Sequence, residues 1–492
     1  MKKICLIIIF LFFTAHIVRA QYVPGTNNIL YVKQNATGSG NGSSWNNAVP
    51  DLANALKWAY TNRANFVNNP LQIWVAGGTY TPKYSPEDGS TFGTNQNRKN
   101  SFLMVNNVKL YGGFAGTETS LSSRNLNLTA NKSILSGDIG ILNNTSDNCL
   151  HVVIAVGNVG SATLNGFTVT KGNANQSGNF NVNSTNVSNF AGAGVYNRNT
   201  SMTIDYTTFE ELNSEYGSGI YLINSPMNIT NSVFNNNTAT EGACINTLND
   251  TYTGQYGKIV NCVFSNNFVS GSGCVLFFED GPPNSNRLEF INCTFANNTA
   301  YNQGGLINYY TDQTGPAPAF KNCIIDSPAN EVLFYGNNFS KFVNILFANC
   351  MTNSSALTTN PSNINNLINA NPLFVDPSQN NFRLQNNSPA INIGNNIYLP
   401  STTTTDIEGN SRIVNSTVDL GAYENQSLPE TPAPTATNQT FCSNLNATVA
   451  NLVATGSNIK WYNSATSTNP LTTTTPLTTG NYFATQTING IE

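Results

Sequence analysis

An eleven-residue phrase recurs down the middle of this chain and limits what it can fold into more than any other feature. It reads LNGFTVTKGNA over Leu164–Ala174, ITNSVFNNNTA over Ile229–Ala239, IVNCVFSNNFV over Ile259–Val269 and FINCTFANNTA over Phe290–Ala300. A divergent copy starts at Ile204 and a truncated one at Phe320. The shared large apolar position falls at Val169, Phe209, Phe234, Phe264, Phe295 and Ile325, in steps of 40, 25, 30, 31 and 30 residues. A second apolar anchor, introduced by glycine, follows eleven residues later at Ile220, Ile245, Val275 and Leu306. Each unit thus holds short apolar segments parted by turns, none long enough for a helix and none alternating for long enough to be a hairpin arm. A unit of this size cannot bury its own apolar side, so it must stack on its neighbours as a solenoid.

Stacked coils bring equivalent residues above one another at roughly 4.8 Å. Asn231, Asn261, Asn292 and Asn322 lie three residues before the anchor, where asparagine tolerates a left-handed bend and its amide can bond to the next coil. They are expected to form an internal ladder. Cys262, Cys293 and Cys323 follow them with the inward parity of the anchors, and Cys244 and Cys274 share another level. Neighbouring coils point their Cβ atoms in parallel, which suits disulfide geometry poorly, so these are read as free thiols in the core.

Caps are expected at both ends. Asp51 followed by Leu52, Ala55, Leu56 and Ala59 has the N-cap and spacing of a short amphipathic helix that seals the first coil. Asn371–Asp376 and Asp419–Glu424 read as last strands before a Pro- and Thr-rich linker. Beyond it, short alternating strands around one Trp suit a partial immunoglobulin-like sandwich. The expected fold class is therefore all-β, a right-handed parallel β-helix of the pectate-lyase-like kind. Its divisions are 1–20, signal peptide; 21–140, N-terminal cap and first coils; 141–350, helix repeats; 351–426, C-terminal coils and cap; 427–438, linker; and 439–492, partial immunoglobulin-like domain.

The signal peptide rests on Lys2 and Lys3, the apolar run from Ile4 to Phe13, and the cleavage site Val18-Arg19-Ala20. That run is too short to span a bilayer, and no later stretch reaches the roughly 20 apolar residues of a membrane helix. Past the leader, 18 basic residues face 25 acidic ones and only 9% of the chain is charged, which argues against nucleic acid as partner. The expected destination is secreted, cell-surface or outer-membrane associated.

Several phrases occur together and in order: Ile29–Asn46, Ile73–Lys83, Leu110–Thr119, then SPAINIG from Ser388, DIEGNSR from Asp406 and DLGAYE from Asp419. In these the chain, from about Ile29 to Glu424, resembles the secreted right-handed β-helix repeat proteins of the Bacteroidetes that end in a choice-of-anchor Q region. The tail resembles Ig-like repeats of large surface proteins of the same bacteria. Where those repeats carry a second Cys after Asn-Gly, this chain has Ile491, which leaves Cys442 without its usual partner and implies a chain cut short there. The resemblance implies export, a surface life, and adhesion or polysaccharide contact; it implies no defined reaction.

Parallel β-helices also host pectate lyases and polygalacturonases, so an enzyme is conceivable by fold analogy. The residues discourage it. His151 is the one histidine past the leader and opens an apolar strand, and the Asp-Asp and Gly-His-Gly phrases of polygalacturonases are absent. Outward positions beside the anchors read Thr208, Val233, Val263, Thr294, Ile324, Tyr221, Asn246, Leu276 and Ile307, with no stacked carboxylates. Glu215 and Glu241 fall near one another in successive coils, and a paired-carboxylate site is weighed against solvated turn residues. The coil after Ile220 lengthens at one corner in the next three units, which use 13, 14 and 13 residues there. These insertions should form a crown carrying Asp250, Tyr252, Tyr256, Glu279, Asp280, Arg287, Tyr309, Tyr310 and Asp312. Tyr faces stack on sugars and acids take hydroxyls or Ca²⁺. The leading expectation is a non-catalytic surface scaffold for adhesion or glycan contact, with extracellular polysaccharide or surface glycan as partner and no cofactor other than Ca²⁺. The alternative is a lyase or glycoside hydrolase acting on acidic polysaccharide.

Overall fold

The computed structural model describes residues 21–248, 257–271, 275–279, 288–301, 305–310, 317–326, 332–335, 345–353, 363–427 and 433–487. The leader, residues 1–20, lies outside them. By its internal contacts the chain divides into two compact units after Gln426. The first is a parallel β-helix. Among the described residues its strands form parallel sheets of eleven, ten, eight and five strands, each sheet a face running down the stack. One coil shows the path: Lys258–Val260 on the first face, Val263–Ser265 on the second, Phe268–Val269 on the short fourth and Leu276–Glu279 on the third. The corners come from asparagines in the left-handed region. Asn231, Asn261, Asn292 and Asn322 have φ of 48, 53, 50 and 53° between first and second faces, and Asn236, Asn266 and Asn297 have 56, 54 and 54° at the next corner. Asparagine pays little there because its short amide bonds locally, whereas a branched side chain would clash with the following carbonyl.

The register follows the sequence repeat. Val169, Phe209, Phe234, Phe264, Phe295 and Ile325 pair one above the next on the second face. Their rings stack at 4.8, 4.8 and 4.7 Å between centroids from Phe209 to Phe295, and a second column runs Phe290, Phe320, Phe347 at 4.8 and 5.0 Å. On the third face the expected anchors slip. Ile245 pairs with Leu276, and Leu276 with Ile307, so the strand register passes to Leu276 and Ile307 where the eleven-residue step pointed to Val275 and Leu306, while Val275 is buried in the same core. The turn between the two faces gains one residue in each of these coils, and a one-residue shift exchanges the two faces of a strand. Leu276 and Ile307 are accordingly buried and not outward.

The helix over Leu52–Thr61 is capped by Asp51, whose side chain accepts from the Asn54 amide, and it buries Leu52, Ala53, Ala55, Leu56 and Ala59. These sit in the same core as Leu30 and Val32 of the first coil. At the other end the structure departs from expectation. The last stacked strands are Asn363–Ile364 and Leu367–Ile368. Residues 371–426 then turn back along the outside of the stack as a strap. Phe374–Asp376 pairs antiparallel with Asn381–Leu384, and Asp419–Glu424 belongs to no strand, so neither segment closes the stack as a last strand. The outward side of the second face is apolar in this region, and Val263, Ala296, Ile324 and Met351 are covered by Phe374, Phe382, Leu384, Ala390, Leu420 and Ala422. Burial of apolar area on both sides of that sheet is what holds the strap down.

In the second unit, described by itself, Lys460–Tyr462 pairs antiparallel with Phe483–Thr485, and Val449, Trp461 and Tyr462 are buried. No helix among the described residues is long and apolar enough to cross a membrane.

Candidate functional site

The crown expected at the lengthened corner falls largely beyond what is described: Asp250, Tyr252, Tyr256, Asp280, Arg287 and Asp312 lie outside the described residues. Glu279, Tyr309 and Tyr310 are strand residues and not loop residues, at the ends of Leu276–Glu279 and Gly305–Tyr310. Glu279 pairs with Tyr310, and Tyr309 takes the register position of Phe278, a core residue. The insertion of this coil therefore begins after Tyr310, because alternation of apolar residues carries the strand three residues beyond Ile307.

The phrases around Asp406 and Asp419 fold together into a buried polar knot inside the strap. Arg412 is 1% exposed, with Asp406, Asp419 and Glu424 at 0, 1 and 4%. Arg412 Nη2 donates to the Asp419 and Gly421 oxygens at 3.0 and 2.8 Å, and its Nη1 lies 3.9 Å from Glu424 Oε2. Backbone amides fill the carboxylates: Val414 and Asp419 bond Glu424, Glu408 and Asn410 bond Asp406, and Asn392 and Asn425 bond Asp419. Burial pushes the Glu424 carboxyl up to about 7, against the pull of Arg412. Gly421 has φ +84°, and a Cβ there would meet Thr294 Oγ1 at 2.6 Å, so this position admits no side chain. The carboxylates are filled by backbone amides and Arg412 is anchored through Nη2, while its Nε and Nη1 are buried without a hydrogen-bond partner among the described residues, so the group ties the strap together away from solvent.

The strap is also tied to the corner asparagines. Asn261 donates to Thr405 O at 2.8 Å, Asn292 to Asp419 O at 2.9 Å, and Asn322 to Asn395 O at 3.0 Å while accepting from the Asn395 amide at 2.8 Å. Coil to coil, Asn261 donates to Asn231 and Asn322 to Asn292, each at 3.2 Å, and Asn231 donates to Asp205 at 3.0 Å. A second column, unnoticed in the sequence reading, runs through Asn237, Asn267 and Asn298, whose side chains bond each other at 3.0 and 2.9 Å and the carbonyls of Phe209, Phe234 and Phe264. Its signal was present: each lies three residues after Phe234, Phe264 or Phe295.

Cys149, Cys244, Cys262, Cys293, Cys323 and Cys350 are free and buried, and Cys442 is free and exposed. Cys274 lies outside the described residues. Cys350 continues the column of Cys262, Cys293 and Cys323, with its Sγ 3.3 Å from Phe320 O. His151 is fully buried with Nδ1 3.0 Å from Gly192 O, and burial pulls it down to about 4. Glu215 is exposed and Glu241 half-buried on the fourth face. Burial first, then the Glu215 charge, raises the Glu241 carboxyl. Tyr216, paired in register with Glu241, stands beside both acids.

No family model matches the sequence, and no curated protein matches it. Among solved structures, the chain is similar to Escherichia coli YbhC at 12% identity over 69% of this chain and 75% of that one, with a TM-score of 0.27.

Proposed function

We propose that the chain is an exported, surface-associated β-helix scaffold for adhesion or glycan contact, and that it is not an enzyme. The observation that carries this is the polar knot: four of the five charged residues of DIEGNSR and DLGAYE, Asp406, Arg412, Asp419 and Glu424, are buried in the strap, and the fifth, Glu408, pairs with Arg383. On this reading the choice-of-anchor Q resemblance marks a structural closure. The right-handed winding follows the general rule for parallel crossovers. The second unit serves as an Ig-like spacer, and the leader supports export. Ligand contact is assigned to the crown residues Asp250, Tyr252, Tyr256, Asp280, Arg287 and Asp312, with Ca²⁺ as an accessory ion.

A glycan array probed with residues 21–492, with and without calcium, tests this. Retention of a glycan class that is lost on replacing Tyr252 and Tyr256 by Ala supports the reading; no retention of any glycan counts against it. A second reading, polysaccharide lyase or glycoside hydrolase, draws on Glu241, whose carboxyl is raised by burial and then by the Glu215 charge, since carboxylates in unlike environments can divide acid and base roles. Its sign would be cleavage of an acidic polysaccharide that Glu241→Gln abolishes.

A further inference from the structure

A cleft of 510 Å³ opens where the cap helix meets the first coils, within the range of about 300–1,000 Å³ usual for ligand pockets. Its walls come from four separate stretches of chain: the turn after the helix with Arg63 and Val67, the turn at Val105 and Asn106, Asn158, and the hairpin tip at Asn183. No carboxylate lines it.

Arg63 is held ready in this cleft. Its Nη1 donates to Tyr60 O at 2.7 Å, and the guanidinium lies 4.2 Å over the Tyr60 ring. That ring is itself fixed, by Phe92 at 4.6 Å and by a bond from its hydroxyl to Asn183 Oδ1 at 3.0 Å. Among the described residues Arg63 has no ion-pair partner. The nearby acid at the hairpin, Asp88, is spent on the Asn183 and Ser184 amides at 2.8 and 2.7 Å. A planar guanidinium so placed keeps donors for a planar or tetrahedral anion. Around it stand neutral amides suited to hydroxyls. Asn106 Oδ1 is packed against the turn at Gly160, out of solvent, and the Asn183 amide is spent on the Tyr60 hydroxyl and Val156 O, so Asn106 and Asn158 offer their side-chain N–H groups to the cleft. Val67, 62% exposed, gives an apolar wall for the C–H face of a ring.

We propose that this cleft binds a short anionic saccharide, with Arg63 taking the acidic group and the side-chain N–H groups of Asn106 and Asn158 taking ring hydroxyls. The proposal rests on the glycan-contact reading and gives it a second place on the molecule. Carboxylate and sulfate present the same charge to Arg63, and the test separates them.

The full chain is titrated with cellobiose, its 6′-carboxylate and its 6′-sulfate. The expected result is that one or both anionic sugars bind about tenfold more tightly than cellobiose. That advantage should vanish in Arg63→Gln and shrink as salt is raised. Arg63 is exposed, so the variant should keep the wild-type circular dichroism spectrum and melting curve. Equal affinity for all three sugars, binding of none, or an unchanged preference in a folded Arg63→Gln chain would overturn the proposal. If the glycan array shows retention while Arg63→Gln changes nothing, this cleft is refuted and the scaffold reading stands. If the array shows none, the scaffold reading fails on its own test.

Discussion

Asn292 donates its side-chain amide to the backbone oxygen of Asp419 at 2.9 Å, joining a coil corner to the strap across 127 residues. Asn292 is fully buried and holds φ at 50°. Its replacement by Ala should remove one of the two donors to the Asp419 oxygen, the other being Arg412, and strain the corner, at a cost of about 2 kcal/mol. Urea unfolding of the wild type and variant measures it, and a loss under about 0.5 kcal/mol would show that the tie contributes little.

Arg412→Met removes the charge that stands against Glu424 inside the knot. Breaking one partner of a buried pair typically costs about 3–5 kcal/mol. The strap should then open before the stack does. Limited proteolysis should cut within 371–426 in the variant at a protease dose that leaves the wild type whole, with the coils surviving as a resistant fragment.

His151 supplies a pH dependence of definite sign. Its folded value of about 4 lies below the ordinary 6.5, so the unfolded chain takes up the proton first. The stability it contributes is present above pH 6.5 and is lost as pH falls towards 4, about 3 kcal/mol in all. The measurement is the difference in unfolding free energy between wild type and His151→Gln from pH 7 to pH 4. The gap should narrow or reverse on acidification.

Thiol labelling checks the core. Cys442 should react at once in the native protein. Cys149, Cys244, Cys262, Cys293, Cys323 and Cys350 should stay unmodified until denaturant is added, because burial removes access. Peptide mass spectrometry assigns each site.

The stacked coils were legible because their apolar anchors repeat at nearly fixed spacing, and Phe209 to Phe295 pair where the phrase put them. The third face was misread by one residue at Leu276 and Ile307. Nothing local in GCVL or GGLI marks which of two adjacent aliphatic residues takes the register of Ile245, and Val275 and Leu276 are both buried. The strap was illegible for another reason. Phe374, Phe382 and Leu384 look like strand residues in sequence, and only the apolar outward residues Val263, Ala296, Ile324 and Met351 show that something must cover the second face. That side was visible as Val233, Val263 and Ile324 at outward positions and was read as lacking acids when it was in fact lacking solvent. The knot was hidden because Asp406, Arg412, Asp419 and Glu424 lie in two separate phrases whose meeting in one buried group only the folded strap shows.

The central claim, a binding scaffold without catalysis, is tested most directly by incubating residues 21–426 with acidic and neutral polysaccharides plus calcium and measuring polymer length by size-exclusion chromatography. The account predicts unchanged length distributions, with protein co-eluting with at least one polymer. Shortened chains that Glu241→Gln restores to full length would contradict it and make the Glu215 and Glu241 pair a catalytic site.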